Sequence, residues 1–223
     1  MAYTVLDVAQ WARAEHFKFY QQFSHPWYNI CSNIDVTELY QYCQQHQHRF
    51  FHAYLYLTQQ ALNQCQPMAT RLVDGEVRIY SPMCVSVAIL AQDDTVRFCD
   101  LPYQANFADF CHHATQTEQR VKNTPFILEQ FIGQEMRQNT IHLTVLPWVD
   151  FTSMSHARDT QFPDSVPKMA FGKLTKHSDG WRMPLSLEVH HGLMDGLHVG
   201  QFIQTLQALF NTPHLLEAAS HCD

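Results

Sequence analysis

Apolar residues recur at helical spacing in six segments of the chain. Positions i, i+3, i+4 and i+7 of such a segment share one face of a helix, so the pattern predicts helices. They are predicted over residues 8–20, 37–47, 51–64, 107–121, 125–137 and 197–210. Asp35 is placed to cap the second helix. The last helix carries the clearest apolar face, formed by Val199, Phe202, Ile203, Leu206, Leu209 and Phe210.

Other segments alternate apolar and polar residues, which predicts β-strands. Asp74-Gly75 separates 68–73 from 76–80, and Ser178-Asp179-Gly180 separates 168–176 from 181–191. Asp-Gly between two apolar segments is typical of a hairpin, because both turn positions favour positive φ. Alternation also predicts strands over 85–89 and 141–145. Helices and hairpins without a regular β-α-β order predict an α+β fold, with helices packed on a largely antiparallel or mixed sheet.

Length and composition favour one globular domain. The chain has 223 residues and 46% of them are hydrophobic, which is enough for one core. We expect a single domain over residues 1–211 and a loose C-terminal tail over 212–223. Only 16% of residues are charged, and the net charge is −7. An acidic chain lacks the basic face that nucleic acids and anionic membranes require, so neither is an expected partner.

The seven cysteines indicate a reducing compartment. Their number is odd and no C-x-x-C spacing occurs, which is typical of free thiols rather than a disulfide framework. The sequence contains no run of about 18 apolar residues, so no transmembrane helix is predicted. The N-terminus lacks the features of a signal peptide. We therefore expect a cytoplasmic location.

Candidate chemistry concentrates between Glu188 and His198. On the preceding strand, alternation puts His191 on the same apolar face as Leu187 and Val189, while His190 points the other way. Partial burial favours a neutral imidazole, which a general base needs near pH 7. Asp195 follows at the turn into the last helix, where it could cap that helix, pair with a cation or orient His191.

The chain has fifteen histidines, so a structural role must be weighed against a catalytic role for His190 and His191. A histidine pair near an aspartate is structural about four times in five, given how often short motifs occur by chance. His112-His113 on a predicted helix receives no role. A metal site at His190, His191 and Asp195 would be crowded, because adjacent side chains on a strand point to opposite faces. No recognised zinc spacing occurs, so we expect no metal.

His190-His191-x-x-x-Asp195-Gly196 resembles the H-H-x-x-x-D-G signature of the CoA-dependent acyltransferase superfamily. Trp11-x-Arg13-x-Glu15-His16-Phe17 resembles the N-terminal motif of chloramphenicol acetyltransferases within it. Several shorter matches follow at the expected spacing, and the resemblance covers residues 3 to 210. These are Ile34-Asp35-Val36-Thr37, Pro147-Trp148-Val149, Gly172-Lys173, Met183-Pro184-Leu185 and Gly196-Leu197-His198-Val199.

The resemblance implies a fold, a reaction and catalytic residues. The fold is that of chloramphenicol acetyltransferase, and acetyl-CoA is the co-substrate. His191 is implied to be the general base that takes the proton from an acceptor hydroxyl, which attacks the thioester without an acyl-enzyme. Thr144 stands where the family places a serine that donates to the oxyanion, although a β-forming residue is equally consistent with the sequence. Arg13 and Asp195 are implied to form a structural ion pair that supports the base.

The resemblance also implies binding residues and an assembly. Lys173 and Arg49 match basic positions near CoA, and each could equally be a solvated surface cation. The acceptor pocket is implied to contain Tyr20, Tyr28, Phe151 and Met154. His156 and Arg158 replace apolar pocket positions, which indicates a more polar pocket. The family forms homotrimers with sites between neighbouring subunits.

Two departures from the family pattern keep alternatives open. Ala170 replaces a threonine that helps hold a water, and Leu174 replaces an aromatic residue that stacks on adenine. Chloramphenicol is the leading acceptor. The alternatives are the same chemistry on another hydroxylated acceptor, or a catalytically weak binder of amphipathic small molecules.

Overall fold

The computed structural model describes residues 2–127, 137–159 and 164–217. The helices of these residues are α1 (Ala14–Tyr20), α2 (Thr37–Gln45), α3 (Phe50–Gln64), α4 (Phe107–Lys122) and α5 (Gly196–Phe210). The strands are β1 (Ala2–Val5), β2 (Trp27–Asp35), β3 (Thr70–Val73), β4 (Glu76–Ser81), β5 (Cys84–Leu90), β6 (Val96–Leu101), β7 (Thr140–Val145), β8 (Lys168–Phe171), β9 (Thr175–His177) and β10 (Gly180–His190).

Most strands form one mixed sheet. Its order is β2-β10-β8-β7-β5-β6, with β9 paired to the start of β10. The β5–β7 and β7–β8 pairs are parallel and the other pairs of this sheet are antiparallel. A second sheet, β1-β4-β3, contains the hairpin at Asp74 and Gly75, whose φ angles are 52° and 79°. The predicted α+β fold with a mixed sheet is confirmed.

The helix predictions differ from the structure near the N-terminus. Segment 8–20 is not continuous, because a 3-10 helix over Val8–Gln10 and a turn precede α1. The second helix ends at Gln45, since Gln47 adopts a left-handed φ of 57°. The predicted cap Asp35 lies one residue before the actual N-cap, Val36, which makes no side-chain cap bond, and Asp35 Oδ1 accepts from the Thr37 amide at 2.8 Å. Helices 51–64, 107–121 and 197–210 are confirmed, whereas 128–136 of the segment 125–137 lie outside the described residues.

Three strands escaped the sequence analysis: β1, β2 and β6. In β6 the usual pattern is inverted, because Val96 and Phe98 are exposed while Arg97 is buried. The Arg97 side chain donates to the Thr124 carbonyl at 2.9 Å and to Asp93 at 2.8 Å, which satisfies it inside. An alternation of hydrophobic residues alone therefore assigns the wrong face.

The two faces of the main sheet have different chemistry. Val87, Leu143, Met169 and Leu187 lie in one row across four strands and are buried in the main core, to which α3 and α5 also contribute. The opposite face, which we call the polar face, carries Ser86, His142, Thr144, Lys168, Ser186, Glu188 and His190. Ser86, Ser186, Glu188 and His190 of this face are buried, whereas His142, Thr144 and Lys168 are half-buried.

The C-terminal segment is partly packed. Pro213–Leu216 form a 3-10 helix and Leu216 is buried in the main core. The expectation of a loose tail is therefore wrong for these residues, while 218–223 lie outside the described residues. Within the described chain, no helix combines the length and apolarity needed to cross a membrane. The six described cysteines are free thiols.

Candidate active site

His191 lies in the turn between β10 and α5, one residue past the end of the strand. Its ring stacks on Tyr20 of α1, with centroids 4.0 Å apart and planes inclined by 13°. Tyr28 of β2 packs on it at 4.4 Å. Tyr28 is paired with Val189 in the sheet, so His191 lies on the side of the sheet that carries Tyr28. The structure therefore brings the predicted base together with two of its predicted pocket residues.

The two ring nitrogens of His191 have different surroundings. Its Nε2 lies 3.1 Å from the Tyr20 hydroxyl. Its Nδ1 is buried and has no hydrogen-bond partner within the described part of the chain. The backbone amide donates to the Pro26 carbonyl at 2.7 Å, which fixes the start of the turn. Nε2 therefore lies within hydrogen-bond distance of one hydroxyl, that of Tyr20.

Arg13 and Asp195 form the expected ion pair. The Arg13 guanidinium donates to the Asp195 carboxylate, and it also donates to the backbone carbonyl of His191 at 3.0 Å. Burial raises the pKa of the Asp195 carboxyl, but the charge and hydrogen bond of Arg13 outweigh it, so this pKa lies below its ordinary value. Asp195 also begins α5, where its amide donates to Nδ1 of His198 at 3.2 Å. Arg13 therefore couples the N-terminal segment to the main chain of His191.

His190 has a structural environment. It is 5% exposed, and the Gly192 amide donates to its Nδ1 at 3.2 Å. A Cβ atom on Gly192 would lie 3.0 Å from the His190 ring, so this close contact requires glycine. Burial, and then the charge of Arg158, lower the pKa of His190 to about 4. The ring is therefore neutral near pH 7 and supports the turn.

The expectation that β10 buries one apolar face is incomplete. All residues from Met183 to His190 are buried, and the strand ends before His191. The polar side of this strand is buried because Arg158 covers it. Arg158 donates to Glu188 and, at 2.7 Å, to Asp164, and its guanidinium lies 3.1 Å from the centroid of the Trp27 ring. We call Arg158, Asp164 and Glu188 the buried ionic cluster.

The buried ionic cluster corrects the interpretation of Arg158 as a pocket residue. The Arg158 and Glu188 side chains are 5% and 7% exposed, so they bind each other rather than a ligand. Burial raises the pKa of the Glu188 carboxyl, but the hydrogen bond from Arg158 outweighs it and holds this pKa below its ordinary value. The His156 amide donates to the same carboxylate at 3.1 Å. The polar residues that replace apolar ones at 156 and 158 therefore form part of the buried interior.

Thr144 lies on the polar face, whereas His191 lies against Tyr28 on the opposite side. Thr144 of β7 pairs with Ala170 of β8, which pairs with Ser186 of β10. Tyr28 pairs with Val189, three residues from Ser186 and hence on the other face. Within the residues the structure describes, no hydrogen bond connects His191 with Thr144. One chain thus does not assemble both predicted catalytic groups at one point.

Two predicted acceptor residues lie away from the tyrosines. Phe151 packs beside Gly172, where its Cε1 is 3.0 Å from the position of a Cβ atom. Met154 is half-buried in the segment after β7. No ring contact in the described chain joins Phe151 to Tyr20 or Tyr28. The predicted acceptor residues therefore form two groups within one chain.

A cavity of about 380 Å³ opens between the sheet and α3. Its lining is mostly apolar with basic residues and one acid. The lining residues are Arg49, Phe50, Phe51, Tyr54, Ala88, Ile89, Leu90, Glu118, Lys122, Val145, Pro147, Trp148, Gly172, Leu174 and Met183. Arg49 thus lies at the cavity, as predicted for a CoA contact. Lys173 is exposed and flanked by two lining residues, Gly172 and Leu174.

Glu118 organises the charged wall of this cavity and was not found from the sequence. It is 5% exposed, accepts from His52 at 2.5 Å, and accepts from Arg49 at 3.1 Å. Burial raises the pKa of the Glu118 carboxyl, but these hydrogen bonds and charges outweigh it and lower the pKa. Glu118 is 69 residues from Arg49, and no local pattern signals such a pair.

Comparison with known proteins agrees with this architecture. The family model described as chloramphenicol acetyltransferase matches residues 1–207. Chloramphenicol acetyltransferase 3 of Escherichia coli is 29% identical, over 95% of this chain and 99% of that protein. A chloramphenicol acetyltransferase of Klebsiella sp. is 28% identical, over 92% of each chain.

Solved structures show the same fold. A chloramphenicol acetyltransferase superposes with a TM-score of 0.84 at 22% identity, over 94% of this chain and 100% of that one. A dihydrolipoamide acetyltransferase of Azotobacter vinelandii gives 0.68 at 13% identity, over 92% and 89% of the two chains. Together with the family match over nearly the whole sequence, the chain with its His191 site belongs to the chloramphenicol acetyltransferase family of acyltransferases.

Proposed function

We propose that the protein transfers an acetyl group from acetyl-CoA to a hydroxyl of chloramphenicol, with His191 as general base. The observation that carries the proposal is the placement of the His191 ring between Tyr20 and Tyr28, with its Nε2 at 3.1 Å from the Tyr20 hydroxyl. A base within hydrogen-bond reach of a hydroxyl makes that hydroxyl a competent nucleophile. The names of the relatives support the acceptor.

The proposed reaction is a direct transfer that forms no acyl-enzyme intermediate. His191 Nε2 takes the proton of the acceptor hydroxyl while the oxygen attacks the thioester carbon. The carbon–sulfur bond of the tetrahedral intermediate then breaks. The imidazolium returns the proton to the departing CoA sulfur, so the products are the acetyl ester and CoA. The backbone bonds of His191 to Pro26 and Arg13 hold the ring in place during both proton transfers.

Thr144 is proposed to donate its hydroxyl to the oxyanion of that intermediate. His191 and Thr144 lie on opposite sides of one sheet, so the complete site requires two copies of the chain. His191 of one copy would face the polar face of another, where Thr144 is half-buried. This placement supports the trimer that the family resemblance implies.

An aromatic patch beside His191 supports a subunit interface there. Phe19 and Phe23 are 55% and 46% exposed and pack against each other and against Tyr20, with centroids 5.0 to 5.3 Å apart. Leu197, at the start of α5, is 68% exposed. Exposed apolar groups around a candidate base are typical of a surface that another chain covers.

The cavity beside α3 is proposed to bind CoA. Its apolar lining suits the pantetheine arm, and Arg49, Lys122 and Lys173 provide positive charge at or beside it for phosphates. Glu118 neutralises part of the Arg49 charge, so we expect Lys173 to contribute more phosphate affinity than Arg49. Exposed Trp148 supplies an aromatic surface near Leu174, where the family has its own aromatic residue. The free thiols of the six cysteines in the described residues support a reducing, cytoplasmic location.

Release of CoA tests the proposed function. Purified protein is incubated with acetyl-CoA and chloramphenicol beside the His191→Ala variant, and the free thiol is followed. We expect turnover that falls by about 10²–10⁴-fold in the variant. Absence of turnover in the native protein with intact acetyl-CoA binding would contradict chloramphenicol as acceptor. A panel of other hydroxylated acceptors would then separate the same chemistry from a binding protein.

Complementation tests the two-copy site. His191→Ala and Thr144→Val chains are unfolded, mixed and refolded together. Each variant alone should be weakly active, because loss of one oxyanion donor costs about 10²–10³-fold. Mixed oligomers should recover part of the native rate, since some sites receive both intact residues. Mixtures no more active than the separate variants would contradict a site shared between copies.

A further inference from the structure

His46 and His48 lie in the connection between α2 and α3, and Glu217 follows the C-terminal 3-10 helix and lies beside them. One potential ligand atom from each lies within 4.8 Å of the others, and this is the one such group of three in the described ranges. His46 Nδ1 lies 2.8 Å from Glu217 Oε1. His48 is half-buried, and its Nε2 has no hydrogen-bond partner within those ranges. Neither the acyl transfer nor the proposed CoA cavity uses these residues.

The backbone conformation between the two histidines determines how their rings are oriented. Gln47, between the two histidines, has a left-handed φ of 57°. The two imidazole rings are consequently almost parallel, with planes inclined by 17° and centroids 6.0 Å apart. This conformation ends α2 in a Schellman motif, in which the His48 amide donates to the Cys43 carbonyl at 2.9 Å. Glu217 arrives from the far end of the chain through the packed 3-10 helix.

Neighbouring rings restrict the ligands. Tyr42 stacks on His46 at 4.0 Å, and Phe107 packs edge-on against His48 at 5.2 Å. These ring contacts limit the rotation of both imidazoles, so the two histidine side chains are partly oriented before any ion binds.

We propose that His46, His48 and Glu217 bind a divalent transition-metal ion of the zinc type. Two imidazoles and one carboxylate are ligands that Zn²⁺ accepts, with bonds of about 2.0–2.2 Å. A tetrahedral ion holds its ligand atoms about 3.3 Å apart at these bond lengths, which lies between the 2.8 Å and 4.8 Å found here. The fourth position is open to water. The ion would fasten the C-terminal segment to the α2–α3 connection.

Titration with Co²⁺ and Zn²⁺ tests the site. The full chain is produced without a histidine tag, treated with a chelator, and titrated with Co²⁺ while visible absorption is recorded. We expect one ion per chain, an intense tetrahedral spectrum and displacement by Zn²⁺. Thermal unfolding should shift upward with Zn²⁺, because the ion binds only the folded state.

Three variants make the result specific. Loss of even an indirect partner lowers metal affinity by about 10–100-fold, so His48→Ala and Glu217→Gln should lose at least that much and lose the thermal shift. Glu217→Gln preserves shape, which separates loss of a ligand from loss of folding. His112→Ala removes an exposed histidine of α4 elsewhere and should match the native chain. Equal binding by all variants, or no binding by the native chain at micromolar metal, would overturn the proposal.

Discussion

The end of β10 separates two regions of similar composition and opposite properties. On one side, the buried ionic cluster and His190 are almost inaccessible, and the Arg158 and Glu188 side chains are 5% and 7% exposed. On the other side, His191 is half-buried between two tyrosines, with Nδ1 unpaired and Nε2 beside one hydroxyl. His190 and His191, although adjacent in one motif, thus lie in a structural environment and in a candidate active site, respectively.

The difference is one of hydrogen bonding. Arg158 makes bonds to two carboxylates and to the Val166 carbonyl, so its charge is compensated where it lies. In the site of His191, the Tyr28 hydroxyl and Arg13 Nε are buried without partners among the described residues. Buried polar atoms without partners cost free energy, and they concentrate where a ligand or another chain completes the structure. The charge of Arg158 is thus compensated by its carboxylate partners, although both ring nitrogens of neighbouring His156 are also buried without hydrogen-bond partners in the described ranges.

Removal of a charge from the buried ionic cluster should have the largest effect on stability. Arg158→Met leaves Glu188 buried without its cation, which typically costs about 3–5 kcal/mol. Arg182→Met is a matched control, because Arg182 pairs with exposed Asp179 and such pairs contribute about 0–1 kcal/mol. Denaturant unfolding of the two variants gives both values. Equal, small losses would show that the cluster does not support the strand.

Acid should lower the free energy of unfolding because His190 is buried in its neutral form. Its pKa of about 4 lies below the ordinary 6.5, so between these values the unfolded chain binds a proton that the folded chain does not. Stability is therefore fully present above pH 6.5 and falls as the pH decreases, by about 3 kcal/mol at pH 4. His190→Gln should flatten thermal stability over this window. Identical pH profiles of the native chain and variant would refute the assignment.

Asp195→Asn should reduce both stability and rate moderately. The Asp195 side chain is 37% exposed, so solvent screening limits the loss of stability to about 1–2 kcal/mol. Arg13 would hold the His191 carbonyl less firmly, and displacement of a catalytic group costs about 10–100-fold in kcat. Asp179→Asn is the control at an exposed pair. Full loss of activity with unchanged stability would instead assign Asp195 a direct chemical role.

Tyr20→Phe should have the smallest effect. The variant retains the ring that stacks on His191 and removes only the hydroxyl beside Nε2. Because the acceptor hydroxyl would take that place, kcat/KM should change by less than about threefold. Tyr20→Ala also removes the stacking, which typically contributes about 0.5–1.5 kcal/mol, and should lose about tenfold. Equal losses in both variants would show that the hydroxyl, rather than the ring, positions the base.

The sequence predicted features that depend on neighbours along the chain. The Asp74-Gly75 hairpin, α3, α4 and α5 follow from local turn chemistry and spacing, and the structure contains them all. The Arg13–Asp195 pair came from the family resemblance, because the two residues are 182 positions apart. Local reasoning could place Asp195 at a helix start and could not name its partner.

Features that depend on tertiary satisfaction of polar groups were not predictable. Arg97 is buried in β6 where alternation favours Val96 and Phe98, since its partners lie in separate turns. The family resemblance implies that Arg158 replaces a pocket residue, and no local pattern shows that its acidic partner on β10, 30 positions away, holds it in the interior. The cavity acid Glu118 likewise depends on distant His52. Each required knowledge of which strand or helix lies opposite.

Parallel kinetics of His191→Gln and His190→Gln would test most directly whether these neighbouring histidines have separate roles. CoA release and thermal unfolding are measured for both variants and for the native chain at one common pH near neutrality. We predict a loss of about 10²–10⁴-fold in kcat/KM with native stability for His191→Gln. For His190→Gln we predict lowered stability and a rate within about tenfold of native, consistent with a structural role. A reversed result, with His191→Gln active and His190→Gln stable but inactive, would contradict the assignment of His191 as the base.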